Sequence, residues 1–371
     1  MRGRGRSNNR GSPNTSRGSN FNANGARSST RNWDKPSPAG SEAAPKTSNS
    51  GALNKKGNKH DDLAGLRWLP SVSRSSGLEP NGDALRSFRT QEEYWKYIVE
   101  KVMDLELSDR KASKHAADRQ EKEGNVMILI RKLREGFVAT NRKDEFAVQV
   151  VERSTHLALL YNSPKDIASS FGYLFDAYPA TKIPASKEPS SYTSQKAVGL
   201  LHFLHTLLDE YPSQRTSYRL ILPNSAHLAI GCPEWSVASE ISSALRRNNW
   251  WTLDKLTSPQ LLRERLTDKP WTAPDTDKDQ DEMFDALPER ALFHLMHQLR
   301  LKVRGSAWPV LRSAYREVVD GPWLERSLML GKQKEASVSE LAEFMRAGVE
   351  KGEAGVKDTS GARAWVLRRP A

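Results

Sequence analysis

Apolar residues recur at helical spacing along most of the chain from residue 90 onward. Each stripe follows the i, i+3, i+4, i+7 pattern of one buried helix face. Four stripes are clear: Trp95, Ile98, Val99 and Val102; Val126, Ile130, Leu133 and Phe137; Ala147, Val150, Val151, Ser154, Ala158 and Tyr161; and Leu200, Leu204, Leu207, Leu208 and Tyr211. Helix follows helix with no strand-rich block between them, so the pattern predicts an all-α, α-solenoid-like helical-repeat array.

Proline-containing breaks divide the stripes at 162–164, 178–179, 183–189 and 211–212. Ser163 followed by Pro164 and then Asp166 predicts a helix start, because proline suits the first helical position. Further helices are predicted over 236–247, 248–256, 259–267, 281–303 and 306–319.

The C-terminal region, 321–371, has a different pattern. The sequence Gly-Pro-Trp-Leu at 321–324 leads into a short predicted helix ending near 330–331. Ser337, with Glu340 three residues later, predicts the start of another helix. The segment 356–357, a turn at 358–361 and the β-like run 362–367 predict a small β-hairpin. Helices followed by a hairpin are typical of a winged helix.

Four parts follow from these patterns: a basic tail (1–60), an irregular linker (61–89), a helical-repeat domain (90–320) and a winged-helix subdomain (321–371). The linker contains Leu63, Leu66, Trp68 and Leu69, a short apolar segment that we expect to pack against the helical domain.

Positive charge is concentrated in the tail. The chain has 57 Lys and Arg against 45 Asp and Glu, and the tail holds twelve of the former and only two of the latter. With ten Ser, ten Asn and eight Gly, the tail cannot bury enough apolar surface to offset the entropy of ordering, so we predict disorder. Its arginines can contact phosphates and stack on bases. The predicted nucleic-acid contacts in the tail are Arg2, Arg4, Arg6, Arg10 and Arg17. The alternative is a solvated leader without a dedicated partner.

Composition argues against several classes of protein. A single cysteine, Cys232, allows neither an internal disulfide nor a cysteine-cluster zinc site, which points to a reducing compartment. No stretch reaches the roughly 20 apolar residues of a membrane span, and the N-terminus lacks the apolar core of a secretory signal. We therefore expect a nuclear or cytoplasmic protein. A mitochondrial transit peptide is the alternative, since the tail is rich in Arg and Ser, although it lacks a repeating apolar face.

Catalytic motifs are missing from the sequence, which contains neither a phosphate-binding Walker loop nor a dinucleotide fingerprint in the right context. Two His-x-x-His pairs, His202/His205 and His294/His297, have spacing that could hold a metal. We favour histidines that flank core stripes and are partly exposed. Cys232 precedes a predicted helix and is expected to serve in packing. The sequence thus predicts no enzyme activity, no metal and no cofactor.

Two clusters suit binding. Arg246 and Arg247 stand beside Trp250 and Trp251, a combination of cations and aromatic rings that could stack on bases or anchor a protein partner. The interpretation favoured by the sequence is that both tryptophans fill the core between adjacent helices. The second cluster consists of cations on or after the predicted hairpin: Lys357, Arg363, Arg368 and Arg369.

Helices ending in a winged helix are the plan of PCI-domain proteins, and part of the chain resembles the GANP-type mRNA-export members. The similar segments are 132–136 (Lys-Leu-Arg-Glu-Gly), 143–148, 157–161 and 171–178, followed by 291–318, 323–324 and 328–345. At 166–171 the chain has Asp-Ile-Ala-Ser-Ser-Phe, where many GANP-type members have an Asn-Gln-Cys-Gln run. The branch of proteasome-lid, signalosome and initiation-factor subunits therefore stays open.

The resemblance implies a non-enzymatic scaffold subunit of a multiprotein complex, with mRNA processing or export as the best context. It implies protein partners for the helical array and the winged helix, and either nucleic acid or another subunit at the basic wing. Combined with the tail, it predicts RNA as a further partner. The lack of a long apolar stretch predicts no membrane partner.

Overall fold

The fold is that of a computed structural model, which describes residues 69, 84–111, 116–179, 190–223, 228–267, 280–330, 340–359 and 362–370. The tail, with the five arginines predicted to contact nucleic acid, most of the linker, Ser337 and the hairpin turn at 360–361 lie outside the described residues. The described chain is mostly helical and ends in a small antiparallel sheet, which confirms the predicted order of helices and hairpin.

A short 3₁₀ turn, Ala84–Arg86, precedes the helices. The helices are α1 (Phe88–Lys111), α2 (Ala116–Ala139), α3 (Glu145–Leu160), α4 (Pro164–Ala177), α5 (Ser190–Glu210), α6 (Arg215–Leu220), α7 (Pro233–Arg246), α8 (Trp250–Leu256), α9 (Pro259–Arg265), α10 (Gln280–Asp285), α11 (Leu287–Ala314), α12 (Pro322–Ser327) and α13 (Glu340–Glu350). The strands are β1 (Glu317–Val319), β2 (Ala354–Thr359) and β3 (Ala362–Leu367).

Capping residues explain where several helices begin. Asp144 accepts a hydrogen bond from the Ala147 N–H at the start of α3, and Asn249 does the same for the Thr252 N–H in α8. Helices α4, α7 and α9 each have proline in the first turn, where its missing N–H costs nothing. The predicted start at Ser163 is confirmed.

The four predicted stripes lie in one large hydrophobic core that extends from Leu85 to Val303 and includes Met329. Tyr161 and Tyr211, at the ends of their stripes, are only partly buried against it. Leu69 also packs on this core, and its carbonyl accepts a hydrogen bond from Lys132 Nζ at 3.1 Å. For Leu69, the expected packing of the linker is therefore confirmed.

The segment 281–319 differs from the prediction. One helix was expected over 281–303, but α10 ends at Asp285 and α11 begins at Leu287, with Pro288 in its first turn. Helix α11 then continues through the predicted break to Ala314, although it contains Pro309. Pro309 has no N–H to donate, so the Gly305 carbonyl loses its helical hydrogen-bond partner. The helix tolerates this because both residues face solvent.

Residues 317–319 form strand β1, so the helix predicted to continue to 319 was wrong at its end. Helix α11 ends where Tyr315 adopts an extended conformation. Strand β1 pairs antiparallel with β3, which also pairs antiparallel with β2, giving the sheet order β1-β3-β2. Val318 faces Trp365 across this ladder, and both are buried.

A second hydrophobic core lies under the sheet. The C-terminal half of α11 contributes Trp308 and Leu311, and the sheet contributes Val318, Trp365 and Leu367. Because α11 also supplies Leu292 and Leu299 to the first core, this single helix passes through both.

Candidate nucleic-acid interface

A groove open to solvent lies where the end of α5, helix α6 and the C-terminal end of α7 meet. Its volume is about 850 Å³. We call it the α6–α7 groove. It is lined by Tyr211, Pro212, Gln214, Arg215, Tyr218, Arg219, Leu222, Leu245, Arg246 and Asn248.

Three arginines and an exposed tyrosine dominate this lining. Arg215 and Arg219 are one turn apart on α6, and Arg246 ends α7, where a cation interacts favourably with the helix dipole. The Arg246 guanidinium lies over the Tyr218 ring, 4.8 Å from its centroid. All three arginines are exposed, and Tyr218 is 42% exposed.

Helix α6 is too short to be stable alone, and contacts to α7 hold it in place. At its N-terminal end, Ser242 Oγ donates a hydrogen bond to Gln214 Oε1 at 2.7 Å. At its C-terminal end, Trp235 Nε1 donates to the Ile221 carbonyl at 2.9 Å. The opposite face of α6 buries Leu220. Arg215 and Arg219 are therefore carried by a short helix that is fixed at both ends, and Arg246 lies on α7 itself.

One acidic residue beside the groove, Glu210, already accepts a hydrogen bond. Glu210 accepts a hydrogen bond from the Thr216 N–H at 3.0 Å, and this bond, together with Arg215 and Arg219, lowers the pKa of its carboxyl group. Among the described residues, Arg215, Arg219 and Arg246 form no ion pair, and Glu210 interacts with the first two only at longer range. The groove is therefore electropositive, as an anion-binding surface requires.

The structure divides the first predicted cluster, which consists of Arg246, Arg247, Trp250 and Trp251. Arg246 lines the groove, and Arg247 caps α7 and is exposed. Trp250 packs partly buried against the first core, as favoured from the sequence. Trp251 does not fill the core, because it lies off the face of α8 that carries Leu253 and Leu256; it is 47% exposed.

The cations near the hairpin do not line the groove. Lys357 forms an ion pair with Glu317 at 2.8 Å, so its charge is neutralised by a neighbour in the sheet. Arg368 and Arg369 are exposed, and the Arg368 carbonyl accepts a hydrogen bond from Arg312 Nε at 2.7 Å. Arg363 lies in β3, with its side chain outside the described part of the structure.

The histidine pairs flank the core and are partly exposed, as expected. The His202 ring lies 4.5 Å from the Phe171 ring, and His297 faces solvent. Across the described residues, no group of three or more His, Cys, Asp or Glu has a geometry for holding a metal ion. Cys232 is buried, and burial raises the pKa of its thiol, which agrees with a packing role.

A second surface depression is lined by charged residues that pair with one another. It is lined by Arg131, Arg134, Lys165, Asp166 and neighbouring residues, with a volume of about 610 Å³. Asp166 accepts from both arginines and from Ser163 Oγ at 2.7 Å. Burial alone would raise the pKa of Asp166, but these hydrogen bonds hold it below its ordinary value. We therefore assign this cluster to stability.

Sequence reasoning missed Arg215, Tyr218 and Arg219. Their spacing of three and four residues within the sequence Arg-Thr-Ser-Tyr-Arg at 215–219 places them together on a short helix, but nothing in it indicates that Arg246 lies opposite.

Comparison of the chain with protein-family models, with curated proteins and with solved structures gave no match. None of the helices that the structure describes is long and apolar enough to span a bilayer.

Proposed function

We propose that this chain is a non-enzymatic PCI-type scaffold subunit of a multiprotein complex in mRNA processing or export, and that it binds RNA. The observation that carries the RNA proposal is the α6–α7 groove. Three exposed arginines converge there beside an exposed aromatic ring. Arginine binds phosphate through paired N–H donors and also stacks on bases, so this lining suits a nucleic-acid strand.

The order of elements supports the PCI-type proposal. A long run of helices is followed by α13, the β2–β3 hairpin and the additional strand β1, which is compatible with a winged helix. We propose protein subunits as partners of the helical array and this C-terminal subdomain. Arg368 and Arg369 could add RNA contacts there, whereas Lys357 is paired with Glu317.

The tail would add affinity with little sequence preference. Its arginines can neutralise phosphates wherever the strand runs, while the groove holds part of the strand in a fixed place. The proposal places the protein in the nucleus or cytoplasm.

The test is the binding of a fluorescein-labelled RNA oligonucleotide to the full chain, followed by fluorescence anisotropy. We expect Arg219→Gln and Arg246→Gln each to weaken binding several-fold, because each removes a charged phosphate contact. The matched control is Arg89→Gln. Arg89 is an exposed arginine of α1, paired with Glu93 and outside the groove.

Equal losses in all three variants would mean that only net charge matters, and would contradict a groove site. RNA binding that none of the variants changes would also contradict it. If the chain binds no RNA but the same groove variants weaken binding to an acidic peptide, the groove is a protein-docking surface instead.

A further inference from the structure

An aromatic platform lies on the surface formed by α8, α12 and the C-terminal end of α11. It consists of Trp251, Tyr315, Trp323 and Arg326. The exposed fractions are 47% for Trp251, 44% for Tyr315 and 37% for Trp323. Burying even one such ring would stabilise a complex substantially, so three exposed rings in one place point to a binding surface.

Direct contacts connect the members of this platform. The Tyr315 and Trp323 rings meet edge to face, with centroids 5.0 Å apart. Trp251 Nε1 donates to Ser327 Oγ at 3.1 Å, and Ser327 Oγ in turn donates to the Trp323 carbonyl at 2.8 Å. The Arg326 guanidinium lies 5.8 Å from the Trp251 ring centroid.

Hydrogen bonds from α11 hold α8 and α12, the two short helices of the platform, in place. Arg300 of α11 donates hydrogen bonds to Thr257 Oγ1, just after α8, and to the Met329 carbonyl, just after α12, at 2.9 and 3.0 Å. Arg304 donates to the Leu328 carbonyl at 2.8 Å. Because α8 and α12 are fixed to the same helix, the backbone that carries Trp251 and Trp323 is positioned before a ligand arrives, which lowers the ordering cost of binding.

Exposed aromatic rings are concentrated near the groove and the platform. In the described part of the chain, five aromatic side chains are more than about a third exposed: Phe88, Tyr218, Trp251, Tyr315 and Trp323. Tyr218 lies in the α6–α7 groove and the last three form the platform. The remaining one, Phe88, is packed against the Arg142 guanidinium.

The groove and the platform are also close along the chain. Asn248 lines the groove, and Trp251 is three residues further on. Three residues span at most about 11 Å, so the backbone at Asn248 and that at Trp251 lie within the length of a short oligonucleotide. The exposed Arg247 immediately precedes Asn248 in the chain. Phosphate-binding arginines next to exposed indole rings are the combination that binds single-stranded nucleic acid, because every base has a face that can stack.

We propose that the platform stacks the unpaired bases of a single-stranded RNA whose phosphates are held in the α6–α7 groove. This proposal rests on the proposed RNA-binding function and narrows its substrate to single strands. A duplex keeps its bases stacked inside the helix, so it would lose the platform contacts and retain only those to phosphate.

The experiment measures binding of the full chain to three labelled probes: single-stranded oligouridine, the same ribose–phosphate chain without bases, and a duplex of equal length. We expect Trp251→Leu and Trp323→Leu each to weaken binding to oligouridine about tenfold, within the range known for single base–aromatic stacks. Binding to the abasic chain and to the duplex should not change. Trp323→Phe should restore most of the loss.

The matched control is Phe88→Leu, which removes an exposed ring elsewhere and should leave all three affinities unchanged. Thermal melting of each variant shows whether the fold is retained.

If oligouridine and its abasic analogue bind equally and the tryptophan variants have no effect, the proposal that the platform stacks bases is overturned. The groove variants then still test whether the chain binds RNA. If no probe binds, both the proposed function and the platform fail. If the tryptophan variants instead disrupt only a protein complex, the platform is a protein contact and the proposal is overturned.

Discussion

His156 is the clearest case of a single residue whose chemistry is set by burial. It lies in α3, 4% exposed, and neither ring nitrogen has a hydrogen-bond partner in the described structure. Burial, with a smaller contribution from Arg153, lowers its pKa from 6.5 to about 3. The folded protein therefore holds this ring neutral at pH values where an unfolded chain would protonate it.

This predicts an acid-sensitive contribution to stability. Above pH 6.5 the ring is neutral in both states and contributes no pH dependence. As the pH falls from 6.5 towards 3, only the unfolded state gains the proton, so the free energy of unfolding decreases, by about 2 kcal/mol at pH 5. Urea unfolding at pH 7.5 and pH 5.0 should show this decrease, and His156→Leu should remove it.

The control is Leu159→Ala in the same helix, which removes a buried side chain without a titratable group and should lower the stability equally at both pH values. An equal decrease in the parent and His156→Leu proteins would show that other groups cause the acid sensitivity.

Between elements, buried ion pairs connect helices that are far apart in sequence. Asp166, in the first turn of α4, accepts hydrogen bonds from Arg131 and Arg134 of α2, and its side chain is 1% exposed. Arg142 provides a similar connection near α1, because it donates to Glu92 and to Gln91 while lying between the Phe88 and Phe146 rings.

We expect Asp166→Asn to destabilise the protein by about 3–5 kcal/mol, since it leaves the buried Arg134 guanidinium without a compensating charge. Asp176→Asn, in the same helix, is the matched control. Asp176 pairs with Lys143 but is 70% exposed, so its loss should cost less than about 1 kcal/mol. Urea unfolding at pH 7 measures both. Equal effects of the two substitutions would contradict a role for the buried pair.

The elements that could be predicted from the sequence are those determined by residues close together in the chain. The stripe that contains Val126, Ile130 and Leu133 predicts both a helix and its buried face, and the start at Ser163-Pro164 depends only on adjacent residues. Strand β1 was missed because a three-residue strand exists only through pairing with β3, about 47 residues later in the chain.

The candidate site could be predicted only in part, because some of its residues come together only when separate helices pack. Arg246 and Trp251 stood out because cations and rings are adjacent there in sequence. Arg219 joins Arg246 only when α6 packs on α7, and Trp323 joins Trp251 only when α12 packs on α8. Which of two neighbouring tryptophans faces solvent depends on the helix phase, and this phase is fixed by Leu253 and Leu256.

At the scale of the whole molecule, the chain has a folded, electropositive groove and a basic tail. The tail carries most of the net charge of +12, and the groove places three arginines on a fixed surface. Phosphate contacts made by the groove should therefore depend on the folded structure more than phosphate contacts made by the tail.

The most direct test is the salt dependence of single-stranded RNA binding by the full chain and by a variant with Arg2, Arg4, Arg6, Arg10 and Arg17 changed to Gln. We predict that affinity falls as salt rises, and that the variant has a slope of log affinity against log salt shallower by up to about 3.5. Binding by the variant should persist and should be lost on further replacement of Arg219 and Arg246. No RNA binding by the parent chain, or complete loss on changing the tail alone, would contradict the account.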